Sequence, residues 1–185
     1  MNDTVKGFSL VEVLVSLVIL VVGLIGIFNL HIVAKRGSFE SFQQTQASYL
    51  TNDIINRMRL NRTELTNYAG TYNGGQSKPA KSCDVAVDGA AVICTNTETR
   101  LWDLYQWELQ FGGDSEQVNG RNVGGLDTAT ACIRVQNTGA VLVVMSWKGI
   151  REVSDGTKNA TDAFIKSCGV GSNRRRAYSI NTVII

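Results

Sequence analysis

The sequence is short of several things. It has one proline and one histidine, Pro79 and His31. It has no Cys-x-x-Cys pair, no Gly-x-Gly-x-x-Gly run and no internal repeat. It has almost no net charge, +2 over 185 residues. Each shortage excludes something. Scattered cysteines and a lone histidine leave no zinc-ligand spacing, so no metal is expected. Without a glycine fingerprint, the stretch "GGDSEQVNGRNVGG" (112–125) reads as a plain glycine-rich loop and not as a phosphate cradle. A charge of +2 does not by itself call for a nucleic-acid partner. His31 lies at the end of an apolar run, remote from any nucleophile or paired carboxylates, so no enzyme and no cofactor is expected.

Charge is also missing locally. From Phe8 to Ala34 the only formal charge is Glu12, and Lys35 and Arg36 close the run. The 23 residues from Phe8 to Leu30 would span about 35 Å as a helix, enough for a bilayer core. Apolar residues surround that helix on every side, as lipid contact requires. A secretory signal peptide fits less well, because the run is long and continues into a helical pattern without a small-residue cleavage site. Lys6 on one side and Lys35 with Arg36 on the other leave orientation open.

Glu12 needs a reason. A carboxylate at the centre of a membrane helix costs about 2.5–3.5 kcal/mol, and less near the end. Cleavage between Gly7 and Phe8 would create an α-ammonium at nearly the same depth. In a bundle of parallel helices, Glu12 could pair with that ammonium on a neighbour, which is what a buried charge requires.

The stretch Lys6-Gly7-Phe8-Ser9-Leu10-Val11-Glu12 resembles the prepilin signal of type IV pilins and type II secretion pseudopilins. In that family a short basic leader ends in Gly, an aromatic residue begins the mature chain, and a Glu stands at the fifth mature position. Counted from Phe8, Glu12 is the fifth. The resemblance implies a leader over residues 1–7, removed after Gly7 by a prepilin peptidase. It implies N-methylation of Phe8, a single-pass precursor in the inner membrane, an assembly platform there, and extraction into a fibre of major and minor pilins. Many major pilins carry a helix-breaking Pro at the twenty-second mature position; here Asn29 stands there. The runs "GFSLVEVLVSLVILVVGLIGIFNLHIVAKR", "YLTNDIINRMRLNR", "DLYQWELQF" and "VLVVMSWKG" are similar to minor pilins of the PilV type. Those work near the pilus tip, where minor pilins prime assembly in support of twitching or adhesion and present an adhesin.

Beyond Ala34 the pattern is amphipathic, with Phe39, Phe42, Ala47, Leu50, Ile54 and Met58 at spacings of mostly three or four. It predicts that residues 35–62 continue the 8–34 helix onto a domain over 63–185. Within that domain, residues 63–100 read as loops with one short strand or turn at Val85–Val92. "TRLWDLYQWELQF" (99–111) reads as a helix whose Trp102, Tyr105 and Trp107 are better explained by core packing than by base stacking. Residues 132–149 read as two strands about Asn137-Thr138-Gly139, and 174–185 as a third. The expected class is α+β, with a small antiparallel sheet against the later turns of the long helix.

Four cysteines, Cys83, Cys94, Cys132 and Cys168, follow the apolar run and point to two disulfides in an oxidising compartment. Three pairings exist. The local one, Cys83 with Cys94 and Cys132 with Cys168, is favoured, each bond stabilising by about 3 kcal/mol. Arg174, Arg175 and Arg176, with Lys166, are a candidate phosphate-binding patch, as in a DNA-binding minor pilin. The alternative for the same arginines is a charged guard at a sheet edge.

Overall fold

The computed structural model describes residues 7–84, 93–114 and 116–185. The chain divides into two compact units, Met1–Phe39 and Glu40–Ile185. Helix α1 runs Leu10–Leu60. It continues as helix through Gly23, Gly26, Asn29 and Gly37.

In the second unit a 3-10 helix, Arg62–Tyr68, leads into strand β1, Gly70–Tyr72. Helix α2 follows at Asn96–Gly112, then β2 (Gln117–Val118), β3 (Arg121–Asn122), β4 (Thr130–Val135), β5 (Ala140–Lys148), α3 (Ala163–Ser167) and β6 (Arg175–Val183). The main sheet is antiparallel in the order β1-β4-β5-β6, and β2 with β3 forms a separate hairpin. The architecture is α+β, a long helix against a small antiparallel sheet.

β5 explains the layering. Its residues alternate between two buried faces. Val141, Val143, Met145 and Trp147 meet Ala47, Leu50, Ile54 and Met58 of α1, with Leu104, Trp107 and Phe111 of α2, in the main core. Leu142 and Val144 face the other way, into a smaller cluster with Cys132, Cys168, Phe164 and Ile165. The continuous apolar run at 141–145 is therefore what a strand covered on both sides requires. Trp107 is wholly buried and its Nε1 donates to the Leu50 carbonyl at 2.9 Å. Trp102 donates to Asp84 at 2.8 Å. Both tryptophans thus belong to the packing of α2.

Several local elements depart from the sequence reading. α2 begins three residues earlier than position 99, because Thr95 and Glu98 form a reciprocal capping box. It ends at Gly113, whose φ of +76° suits glycine and where a Cβ would collide with the Gly124 carbonyl. The loop at 112–125 contains the β2–β3 hairpin, turned by Asn119 and Gly120 at φ +52° and +72°. The 3-10 helix and β1 replace part of the loop expected at 63–100. The strand or turn expected at Val85–Val92 lies outside the described residues. α3 starts where the Asp162 carboxylate accepts the Phe164 N–H at 2.8 Å.

Candidate functional site

The first unit holds the N-terminal motif. Gly7, Phe8 and Ser9 precede α1, and Phe8 is 86 % exposed. The Ser9 carbonyl accepts the N–H groups of Glu12 and Val13 at 3.0 and 3.3 Å, which starts the helix. Glu12 thereby sits in the first turn, where the helix macrodipole favours an anion by about 0.3–1 kcal/mol. That offsets only part of the cost of a carboxylate near a bilayer. Glu12 has no ion-pair partner among the described residues. Its place in the first turn adds a reason for the carboxylate that the sequence alone does not state.

Every residue from Phe8 to Arg36 is exposed, although nearly all are apolar. α1 is long and apolar enough at this end to cross a membrane, and none of that stretch is buried. Ser16, the one hydroxyl between Leu10 and Arg36, donates to the Val13 carbonyl at 2.9 Å, so it stays satisfied without water. His31 belongs to the same exposed stretch.

The cysteines form the bonds Cys83–Cys94 and Cys132–Cys168. The second ties β4 to the end of α3 across the smaller core. No group of three or more potential metal ligands occurs among the described residues.

The three arginines near β6 do separate jobs. Arg174 pairs with Glu152 at 2.9 Å on the surface. Arg176 pairs with Glu40 of α1 at 3.3 Å, and Glu40 also accepts from Arg151 at 3.1 Å. The Arg151 hydrogen bond, opposed by partial burial, holds the Glu40 carboxyl below its usual range. Arg175 is buried. Its Nε donates to Asp155 at 2.9 Å, its Nη1 to the carbonyls of Lys166 and Cys168 at 3.0 and 3.2 Å, and its Nη2 to Thr157. Burial pushes the Asp155 carboxyl up, but Arg175 and Thr157 more than reverse this, and it falls to about 2. The arginines thus fasten the segment between β5 and β6 over the second face of the sheet, and their guanidiniums are already paired. Lys166 contributes its carbonyl to Arg175.

Two acidic residues escaped the sequence reading. Glu40 is the only carboxylate on α1 between Glu12 and Asp53, a spacing that marks it once a partner arginine run is known. Glu108 is 3 % exposed on α2 and accepts the Gln76 N–H at 3.1 Å. Burial pushes its pKa up, and the N–H groups of Gln76, Gly74 and Gly75 partly counter it. Its signal was weak, because Glu108 falls on the apolar stripe of α2.

Comparison with curated proteins and with solved structures found no match to this chain. Residues 3–28 match the family model described as the prokaryotic N-terminal methylation motif. The matched residues include the start of α1, whose membrane-length apolar stretch is not buried, so this end of the chain is similar to prokaryotic N-terminal methylation motifs.

Proposed function

We propose that this protein is a minor type IV pilin of the PilV kind. Residues 1–7 are its leader, 8–34 its membrane and fibre-core helix, 35–62 the amphipathic continuation, and 63–185 the globular head. A prepilin peptidase cuts between Gly7 and Phe8, and the new Phe8 amine is methylated. The precursor waits in the inner membrane, then joins other pilins near the fibre tip through its N-terminal helix, helping to prime assembly and to seat an adhesin. Glu12 supplies the carboxylate that meets a neighbour's Phe8 ammonium when the helices bundle. The head works by contact and not by catalysis.

The observation that carries this reading is the sequence Gly7-Phe8-Ser9-Leu10-Val11-Glu12 at the head of a helix whose apolar side chains from Leu10 to Ala34 are all exposed. Such a surface is stable only in lipid or among like helices. The matched motif is equally at home in a type II secretion pseudopilin, which is the second reading. Deleting the gene separates the two. A minor pilin predicts loss of surface pili and twitching with secretion intact; a pseudopilin predicts the reverse. Natural transformation measured in the same strain tests the DNA-binding alternative, which the paired state of Arg174, Arg175 and Arg176 disfavours.

A further inference from the structure

The chain contains two Asn-Gly pairs, Asn73-Gly74 and Asn119-Gly120. Such a pair can react with itself. The amide nitrogen of the glycine can attack the side-chain carbonyl carbon of the asparagine, because glycine has no Cβ to crowd the approach. Two conditions decide the rate: whether that N–H is held by another group, and how readily the backbone opens to bring the atoms together. The two pairs differ in both.

Gly74 is held. The loop after β1 turns the successive N–H groups of Gly74, Gly75 and Gln76 toward the Glu108 carboxylate, with Gln76 at 3.1 Å. Glu108 is buried and has no ion-pair partner among the described residues. Opening the loop at Gly74 therefore strips a buried carboxylate of its donors. The carboxylate also opposes deprotonation of an N–H that points at it, since the amide anion would face a second negative charge.

Gly120 has no such hold. Asn119 and Gly120 are exposed at the tip of the β2–β3 hairpin, at φ +52° and +72°. The Gly120 N–H donates to no group among the described residues. Only Gln117 with Asn122 and Val118 with Arg121 pair in this hairpin, which stands apart from the main sheet. A two-stranded hairpin of that size is marginal by itself. Its base is better fastened. The Val123 N–H donates to the Glu116 carbonyl at 2.8 Å, and the Asn122 side chain to the Gly112 carbonyl at 3.2 Å. Opening is thus cheapest at the tip.

We propose that Asn119 is a self-modification site, where asparagine converts to isoaspartate and aspartate, and that Glu108 protects Asn73 from the same reaction. When the tip opens, hydroxide takes the Gly120 amide proton and the nitrogen attacks Cγ of Asn119. A bond forms between that nitrogen and Cγ, the bond from Cγ to Nδ2 breaks, and Nδ2 leaves as ammonia with a proton taken from water. Water then opens the cyclic imide. Addition at Cγ gives aspartate. Addition at the Asn119 backbone carbonyl gives isoaspartate, in which the main chain runs through Cβ. The reaction needs water alone and does not depend on the fibre reading.

Both products change the hairpin. Each lowers the formal charge of +2 by one and puts a new carboxylate on the loop that carries Asp114 and Glu116. Isoaspartate also adds an atom to the main chain, which a two-residue turn with both residues at left-handed φ does not accommodate. The Val118–Arg121 pairing is then lost. Buried Leu126, whose N–H donates to the Phe111 carbonyl at 2.9 Å, keeps the main core closed behind the loop. The modification therefore alters one surface loop and leaves the head folded.

The test incubates the full chain in detergent and mildly alkaline buffer and follows each Asn-Gly peptide by mass spectrometry, with isoaspartate identified by isoaspartyl methyltransferase labelling. Deamidation at Asn119 should outpace that at Asn73 by about ten-fold or more. In Glu108→Ala the Asn73 rate should rise about five-fold or more while the Asn119 rate holds. Glu108→Gln keeps the shape of the side chain without its charge, should also raise the Asn73 rate, and serves if alanine disturbs the fold. In concentrated denaturant the two rates should converge, since neither fold element then remains. No isoaspartate at Asn119, equal rates in the folded chain, or a faster Asn73 overturns the proposal. So does an unchanged Asn73 rate in a folded Glu108 variant, or a gap between the pairs that persists in denaturant.

Discussion

Residues 10–39 and 40–60 share one α-helix, yet their side chains meet opposite fates. The first stretch is almost wholly apolar and buries nothing. The second mixes polar and apolar residues and buries Gln43, Ala47, Leu50, Thr51, Ile54, Ile55 and Met58. Burying a Val, Leu or Ile side chain is worth about 1.5–3 kcal/mol. The second stretch gains that from its own sheet. The first can gain it only from lipid or from other helices. One helix thus has a half that is packed within the chain and a half whose apolar surface is exposed.

The largest expected effect breaks the exposed half. Glu12→Ala should leave membrane insertion unchanged and lower the amount of this protein in sheared fibres at least ten-fold, measured against the major subunit. Unchanged incorporation would assign the carboxylate another role, with the helix dipole the first choice.

The next change strikes the packed half alone. Trp107→Ala removes a wholly buried ring that also donates to the Leu50 carbonyl, and should cost about 3–5 kcal/mol. Denaturant melts in detergent should register it while insertion of residues 8–34 stays normal. A loss of insertion would mean that the two halves are not separable.

A finer cut lies within the head. Replacing Cys132 and Cys168 together by serine should cost about 3–4 kcal/mol, since the bond closes a 36-residue separation. Hydrogen exchange should rise first in the segment from Gly149 to Arg174, which covers the second face of the sheet, and only later around Trp107. Uniform loss of protection would contradict the two-faced reading of β5.

The smallest effect is a pH dependence. The Asp155 carboxyl is held at about 2 in the folded head, against about 3.9 in an unfolded chain. Its stabilisation is therefore complete above the unfolded value and is lost as pH falls through the folded one. Between pH ~4 and ~2 the head should lose about 1 kcal/mol through this group, allowing for solvent screening of a partly exposed carboxylate. Asp155→Asn should remove that part of the slope.

Much of this was legible in the sequence because it depends on local pattern. Of the apolar stripe expected on α1, Ala47, Leu50, Ile54 and Met58 are buried while Phe39 and Phe42 stay exposed, and Asn137-Thr138-Gly139 marks the turn between β4 and β5. The run 141–145 reads as doubly covered, and the chain provides both covers. What escaped depends on distant partners. β1 is three residues long and exists because Gly70–Tyr72 pairs with Ala131–Ile133 some sixty positions away. The arginine run at 174–176 reads as one patch, but a strand sends neighbouring side chains to opposite faces, so its members find Glu152, Asp155 and Glu40 separately. The hairpin at Asn119-Gly120 did have a local signal, an Asn-Gly pair at two positive φ values, hidden among other glycines.

We propose that the N-terminal segment is cut after Gly7 and then finds its partners in a fibre. Mass spectrometry of purified, sheared fibres tests it directly. The expected N-terminal peptide of this protein begins at N-methylated Phe8. A peptide beginning at Met1 in mature fibres would contradict it.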